Sequence, residues 1–158
     1  MVGSVGRLPR LLLVVAGLLV LLSASVVVGR SQACRSAVSG GVLPSWARAG
    51  FSEPQPRVAH VLGEQGRIAA ILFGGELHSP PSPDVNNKIL WVSRTGAEGP
   101  LQIRATLAGT GERADREVAD GPGPSYVDLP AAGCWQVDLQ WGSAPDQRDT
   151  LALVYAHP

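Results

Sequence analysis

Residues 135–141 constrain the fold of this chain more than any other part, because their apolar and polar side chains alternate strictly. Tryptophan, valine, leucine and tryptophan occupy the odd positions, and glutamine, aspartate and glutamine the even ones. Successive side chains of a β-strand point to opposite faces of a sheet, so this pattern predicts a strand with one buried and one wet face. Residues 150–156 predict a second strand in phase with it, and the polar residues 142–149 predict the hairpin loop between the two.

Shorter strands are predicted along the rest of the chain, where frequent glycine and proline leave no room for long helices. Residues 67–73 and 88–93 are apolar runs that predict strands buried on both faces. Residues 101–107 alternate and predict a sheet edge or surface strand. Weaker strand candidates are 57–62, 116–118 and 126–129. The proline-rich residues 79–84 predict an extended loop. The pattern favours an all-β fold, an Ig-like antiparallel β-sandwich of about seven strands.

The first 33 residues have the layout of an export signal. Arg7 and Arg10 precede an apolar run at 11–28, and small residues lead from it to Cys34. We therefore expect residues 1–33 to form a signal peptide or an N-terminal membrane-anchor helix. Residues 34–56 are expected to be a linker and N-terminal segment, and residues 57–158 the β-sandwich. The exported part is long enough for the core of one domain.

Three fates of this N-terminus remain open, and each of them places the domain outside the cytoplasm. Ser31 and Ala33 satisfy the small-residue rule of an ordinary signal peptidase, which would cut just before Cys34. A cysteine at the new N-terminus also permits lipidation, although Ser31 replaces the aliphatic residue of a good lipoprotein signal. The apolar stretch 11–28 has 18 residues and is just long enough to span a bilayer as an uncleaved anchor. The sequence thus predicts an extracytoplasmic protein, membrane-anchored or secreted.

The chain has two cysteines, Cys34 and Cys134, and their fates are coupled. If Cys34 is lipidated or lies in a retained linker, Cys134 is a buried free thiol. In a cleaved, soluble form the two can instead form a disulfide that ties the N-terminus to the core. The spacing does not show whether the two Cα atoms come within reach, so lipidation and disulfide formation both stay open.

The charge of the exported part argues against two classes of partner. Residues 34–158 carry ten basic and thirteen acidic side chains, a net charge of −3. Nucleic-acid binding needs clustered lysine and arginine, and charge-driven binding to anionic lipid needs a basic patch. Neither is present in the sequence. We therefore expect no nucleic-acid partner, and contact with a membrane only through the N-terminal segment or a lipid.

No reactive constellation is visible in the sequence. His60, His78 and His157 lack metal-ligand spacing, and the one loose cluster of polar groups is formed by Glu76, His78 and Asp84. No nucleophile elbow of the Gly-x-Ser-x-Gly type occurs. We expect the protein not to be an enzyme and to use no metal or cofactor. The alternative is a small envelope enzyme, or a ligand or metal carrier, with a cleft near Glu76, His78 and Asp84.

Aromatic side chains are candidates for partner binding. Three of the four tryptophans fall on inward positions of predicted strands and are assigned to the core: Trp91, Trp135 and Trp141. Trp46 lies outside the predicted strands, where it either fixes its segment to the sandwich or stays exposed. If exposed, Trp46 and Phe51 would join Pro81 and Pro83 in a recognition site at one end of the sandwich.

Three segments carry a family resemblance: residues 43–51 (LPSWARAGF), 87–92 (NKILWV) and 123–135 (GPSYVDLPAAGCW). They resemble segments of uncharacterised actinobacterial envelope proteins, many of them lipoprotein-like. The Gly-Cys-Trp start of the penultimate strand also resembles a wider set of secreted bacterial Ig-like domains. The resemblance covers nearly all of the exported part and implies fold and location, but no activity and no catalytic residues.

These observations together favour a binding or structural role. We expect a noncatalytic, exported cell-envelope domain that binds an envelope protein or a wall polymer. A fold of this class hosts many unrelated functions, so the expectation depends on the export signal and on the lack of reactive residues rather than on the sandwich itself.

Overall fold

The computed structural model describes Cys34 and residues 38–158. Nine strands lie within residues 38–158: β1 (His60–Leu62), β2 (Ile68–Leu72), β3 (Leu77–His78), β4 (Lys88–Ser93), β5 (Leu101–Leu107), β6 (Arg113–Val118), β7 (Pro124–Tyr126), β8 (Gly133–Gln140) and β9 (Arg148–Ala156). A 3-10 helix at Ser45–Ala47 precedes them. The predicted signal or anchor helix, with its three fates, lies outside the described residues. Within the described residues, no helix is long and apolar enough to cross a membrane.

The strands form two sheets that share one hydrophobic core. One sheet has the order β1-β2-β4-β7 and the other the order β3-β9-β8-β5-β6. Neighbouring strands are antiparallel except for β3, which pairs in parallel with the end of β9. Side chains from both sheets are buried together in the core, including Trp91, Trp135 and Trp141. The prediction of an all-β fold is confirmed, whereas the prediction of antiparallel pairing fails at β3.

Burial along the strands follows the alternation in the sequence, with two corrections. Trp135, Val137 and Leu139 of β8 are buried, and every residue of β2 is buried, as predicted. Strand β4 is not buried on both faces, because Leu90 and Val92 point away from the core and stay half-exposed. Strand β5 keeps its predicted wet face but lies between β6 and β8, so it is not a sheet edge.

The segment before β1 adds a second layer. Ala69 and Ile71 alternate with the core-facing residues of β2, so they point to the outside of the four-stranded sheet, yet they are buried. Leu43 and Ala47 are also fully buried without belonging to the main core. Backbone hydrogen bonds join Ser39 to β1 in both directions. The N-terminal segment therefore covers apolar surface that the sheet leaves on its outer side.

One polar group is buried within the core itself. The Tyr155 hydroxyl donates a hydrogen bond of 2.6 Å to the backbone oxygen of Val127, which joins β9 to the connection between β7 and β8. Burial raises the pKa of this hydroxyl well above its usual value; the negative charge of Asp128 adds to the effect and Arg116 opposes it. The side chain is therefore a neutral hydrogen-bond donor that links the two sheets.

Candidate functional site

The outer face of the five-stranded sheet carries a shallow depression of about 330 Å³, which we call the polar depression. Outward-facing side chains of β5, β8 and β9 line it, together with Gln65 from the turn between β1 and β2. Strand register places six of these residues in two rows across the sheet: Gln102, Gln140 and Arg148 in one, and Arg104, Asp138 and Thr150 in the other. Directly opposed side chains lie about 5 Å apart at Cβ, so each row presents its polar groups together.

Hydrogen bonds within the protein fix the amide groups of the polar depression. The side-chain nitrogen of Gln102 donates to Glu117 at 2.6 Å, and that of Gln140 donates to the backbone oxygen of Gly142 at 3.1 Å. The Thr150 hydroxyl donates to Asp138 Oδ1 at 3.3 Å. The two amide nitrogens are therefore engaged, while both amide oxygens and Asp138 Oδ2 accept no hydrogen bond from the described residues and can act as acceptors.

Among the described residues, the two arginines of the polar depression form no ion pair, although Arg104 lies opposite Asp115 of β6 in the strand register. Arg104 also lies opposite Asp138 in the strand register. Nevertheless, within the described part of the chain the one basic and acidic side-chain pair whose nitrogen and oxygen lie within 4.0 Å is that of His78 and Glu76. Neither the Arg104 nor the Arg148 guanidinium hydrogen-bonds to any group among the described residues. Both present several N–H donors to a ligand.

A buried carboxylate holds the rim of the polar depression. Asp149 is only 3% exposed and accepts three backbone hydrogen bonds, from Gln65 at 3.0 Å, Arg67 at 2.8 Å and Thr150 at 2.8 Å. A side chain at Gly63 would collide with this carboxylate, which explains why glycine stands there. The bonds fix the turn between β1 and β2 against β9, and this positions Gln65 at the rim.

The predicted cluster of Glu76, His78 and Asp84 lies outside the polar depression. His78 Nε2 lies 3.5 Å from a Glu76 carboxylate oxygen, but Glu76 and Asp84 are exposed, and none of the three lines the polar depression. Among the described residues, no group of three His, Cys, Asp or Glu side chains is arranged to hold a metal. Asn87 binds both the backbone nitrogen and the backbone oxygen of His78, so this region is fixed by ordinary structural hydrogen bonds.

The predicted partner-binding residues are not brought to one end of the structure. Trp46 is half-buried, and the centre of its ring lies 5.7 Å from the guanidinium of Arg94. Arg94 directly follows the last residue of β4. Phe51 is also half-buried. Pro81 and Pro83 are exposed, but they belong to the loop that precedes the first residue of β4. Trp46 and the loop of Pro81 and Pro83 therefore lie near opposite ends of that strand, and Trp46 is in contact with Arg94.

Cys34 and Cys134 form a disulfide, with their Cα atoms 6.1 Å apart. Cys134 precedes the core residue Trp135, so its side chain points to the outer face of the five-stranded sheet. The disulfide connects residue 34 to the start of β8. In this form the Cys34 sulfur is not available for a thioether bond to a lipid.

Comparisons with known proteins add no assignment. No protein-family model matches the chain, and neither the curated proteins nor the solved structures contain a match.

Sequence reasoning missed the polar depression as a site, although its signal was present. The even positions of residues 135–141 were predicted to face water, and so were Gln102 and Arg104. What the sequence did not supply was the register that sets these residues beside Arg148 and Thr150.

Proposed function

We propose that this protein is a noncatalytic, exported cell-envelope domain, an Ig-like β-sandwich that binds a wall polymer through the polar depression. The observation that carries the proposal is the pre-arranged set of acceptors there. Among the described residues, the amide oxygens of Gln102 and Gln140 and Oδ2 of Asp138 accept no hydrogen bond, while the neighbouring atoms of the same groups are held by the protein. Hydroxyl groups of a polysaccharide are suitable donors to such acceptors, and fixed acceptors lose little entropy on binding.

The shape and chemistry of the polar depression favour a polymer over a protein partner. Protein interfaces are typically anchored by aromatic side chains that enter desolvated pockets. The residues that line the polar depression include no aromatic side chain, and the tryptophans of the same sheet point into the core. An open, polar and shallow surface fits an extended chain of sugar units that remains partly hydrated.

The disulfide supports the proposed location. Disulfides form and persist in oxidising compartments outside the cytoplasm. Together with the export signal at 1–33, the bond between Cys34 and Cys134 favours a protein that is secreted or held by an uncleaved N-terminal helix, rather than one lipidated at Cys34. The resemblance to uncharacterised actinobacterial envelope proteins points to the same location.

Cosedimentation with insoluble wall material from the producing cells tests the proposal. The protein is purified from those cells in its disulfide form, and the bound fraction is compared among wild type, Gln140→Ala and Gln136→Ala. Both substitutions remove an exposed amide from the same face of β8, but only Gln140 lines the polar depression. We expect Gln140→Ala to reduce binding several-fold and Gln136→Ala to leave it unchanged. The proposal fails if wild type does not sediment with the wall, or if the two variants behave alike.

A further inference from the structure

We infer that the polar depression recognises a saccharide that carries an anionic group, either the carboxylate of a sugar acid or a phosphate ester. This inference rests on the proposed function and narrows its ligand class. Neutral polysaccharide would need only the acceptors described above. The two arginines add a second chemistry to the same site, and this chemistry selects for negative charge.

The position of the two arginines supports a shared anion. Arg104 lies on β5 and Arg148 on β9, on either side of the central strand β8, and both line the polar depression. Two strand spacings across the sheet and two residues along the strands separate their backbones by about 12 Å, and long side chains from both sides can reach the space above β8. Guanidinium groups bind carboxylate and phosphate through paired N–H donors, in a geometry that lysine does not offer.

In the strand register Arg104 lies between Asp115 of β6 and Asp138 of β8, but among the described residues neither carboxylate comes within 4.0 Å of an arginine of the depression. The Asp149 carboxylate is turned into the turn between β1 and β2, where three backbone N–H groups satisfy it. Asp138 accepts from the Thr150 hydroxyl and forms no ion pair with either arginine within the described residues. Its free oxygen suits a sugar hydroxyl. The depression thus combines acceptors on β8 and β5 with guanidinium donors on β5 and β9.

The net charge of the exported part determines which groups must attract an acidic polymer. Residues 34–158 carry a net charge of −3, so a polyanion is not attracted to this protein by its overall charge. Binding of an acidic polymer therefore requires a local arrangement of cations. Removal of Arg104 and Arg148 must then abolish it, while removal of two cations elsewhere must not.

Three polymers test this ligand class in binding titrations with the full protein at physiological salt. They are polygalacturonate, the same polymer after reduction of its carboxylates, and a phosphodiester-linked mannose polymer. Wild type is compared with Arg104→Gln/Arg148→Gln. The control is Arg57→Gln/Lys88→Gln, which removes the same charge from positions outside the depression. Near-ultraviolet circular dichroism verifies that each variant is folded.

We expect wild type to bind at least one acidic polymer about tenfold or more tightly than the carboxyl-reduced one, since each charge-assisted hydrogen bond contributes on the order of a tenfold change. The arginine variant is expected to lose this preference and the control to keep it. Preference for polygalacturonate identifies a carboxylate, and preference for the mannose polymer identifies a phosphate.

Equal binding of acidic and neutral polymers, or acidic binding that survives in the arginine variant, overturns the inference. Failure to bind either acidic polymer also overturns it. Sedimentation with whole wall material decides the proposed function separately, so the two failures are distinguishable.

Discussion

The buried carboxylate of Asp149 provides the sharpest test of how this structure is held together. It accepts backbone hydrogen bonds from Gln65, Arg67 and Thr150, and no other side chain in the turn between β1 and β2 satisfies these donors. Asp149→Ala removes all three bonds and leaves three partly buried N–H groups with only water to replace the carboxylate. At the lower end of the range for hydrogen bonds to a charged group, we expect a loss of about 4 kcal/mol.

Asp149→Asn removes the negative charge but keeps the size and shape of the side chain. The amide oxygen can take the place of Oδ1, which accepts from Gln65 and Thr150, but the amide nitrogen then faces the N–H of Arg67. One hydrogen bond is lost and the other two become neutral. We expect a loss of about 2 kcal/mol, roughly half the effect of alanine. For a domain whose total stability is about 5–15 kcal/mol, both changes are large.

Urea unfolding followed by tryptophan fluorescence measures these losses, because three tryptophans are buried in the core. With an m-value of about 2 kcal/mol/M, Asp149→Ala should lower the midpoint by about 2 M urea and Asp149→Asn by about 1 M. Asp146→Ala is the matched control, since Asp146 is exposed in the neighbouring loop. A loss below about 1 kcal/mol for Asp149→Ala, or equal losses for both Asp149 variants, would refute the reasoning.

Two further predictions concern other parts of the fold. Cys34→Ala/Cys134→Ala should lower the free energy of unfolding by up to about 4–5 kcal/mol, because the disulfide closes a loop with a sequence separation of 100. Urea unfolding of the variant and the wild type measures this loss. If reduction leaves the intact mass of the native wild-type protein unchanged, the disulfide is absent. Tyr155→Phe should change the pH dependence of stability. The folded hydroxyl has its pKa raised above the ordinary value of 10.0, so above pH 10 the unfolded chain loses this proton first. Stability then falls with pH by about 1.4 kcal/mol per unit. Tyr155→Phe should remove that slope, whereas Tyr126→Phe, at a side chain that is 66% exposed, should retain it. Equal slopes for wild type and Tyr155→Phe would exclude this account.

Periodicity was sufficient to locate most of the strands. The alternation at 135–141 marks β8, and the apolar run at 68–72 marks β2, because in both places burial is set locally by which side chains face the core. Strand β3 could not be found this way. It has two residues, and its parallel pairing with β9 depends on where the ends of β9 fall in space. The same limit applies to β4, whose outer face is partly exposed although its central residues 89–92 are all apolar.

The candidate site was less predictable than the fold, for a related reason. Each of its residues is an ordinary polar residue on a wet face, and none belongs to a motif. Gln102 and Arg104 become part of a site only because β8 sets them beside Gln140 and Asp138. Asp149 resembles a loop residue in the sequence, and its role depends on contacts with residues more than eighty positions away. The arrangement of the site therefore depends on pairing between residues far apart in the chain, which local sequence patterns do not reveal.

The bond between Cys34 and Cys134 also determines how the protein responds to force. If the N-terminus is held at a membrane, a pulling force on the N-terminal segment reaches the fold through the disulfide at Cys134, the second residue of β8, rather than through the segment at 38–56. Strand β8 is the middle strand of its sheet and is hydrogen-bonded on both sides, to β9 and β5. The force thus acts on a strand that can be pulled out only if its hydrogen bonds to both β5 and β9 break. The N-terminal segment at 38–56 and the four-stranded sheet do not carry this force.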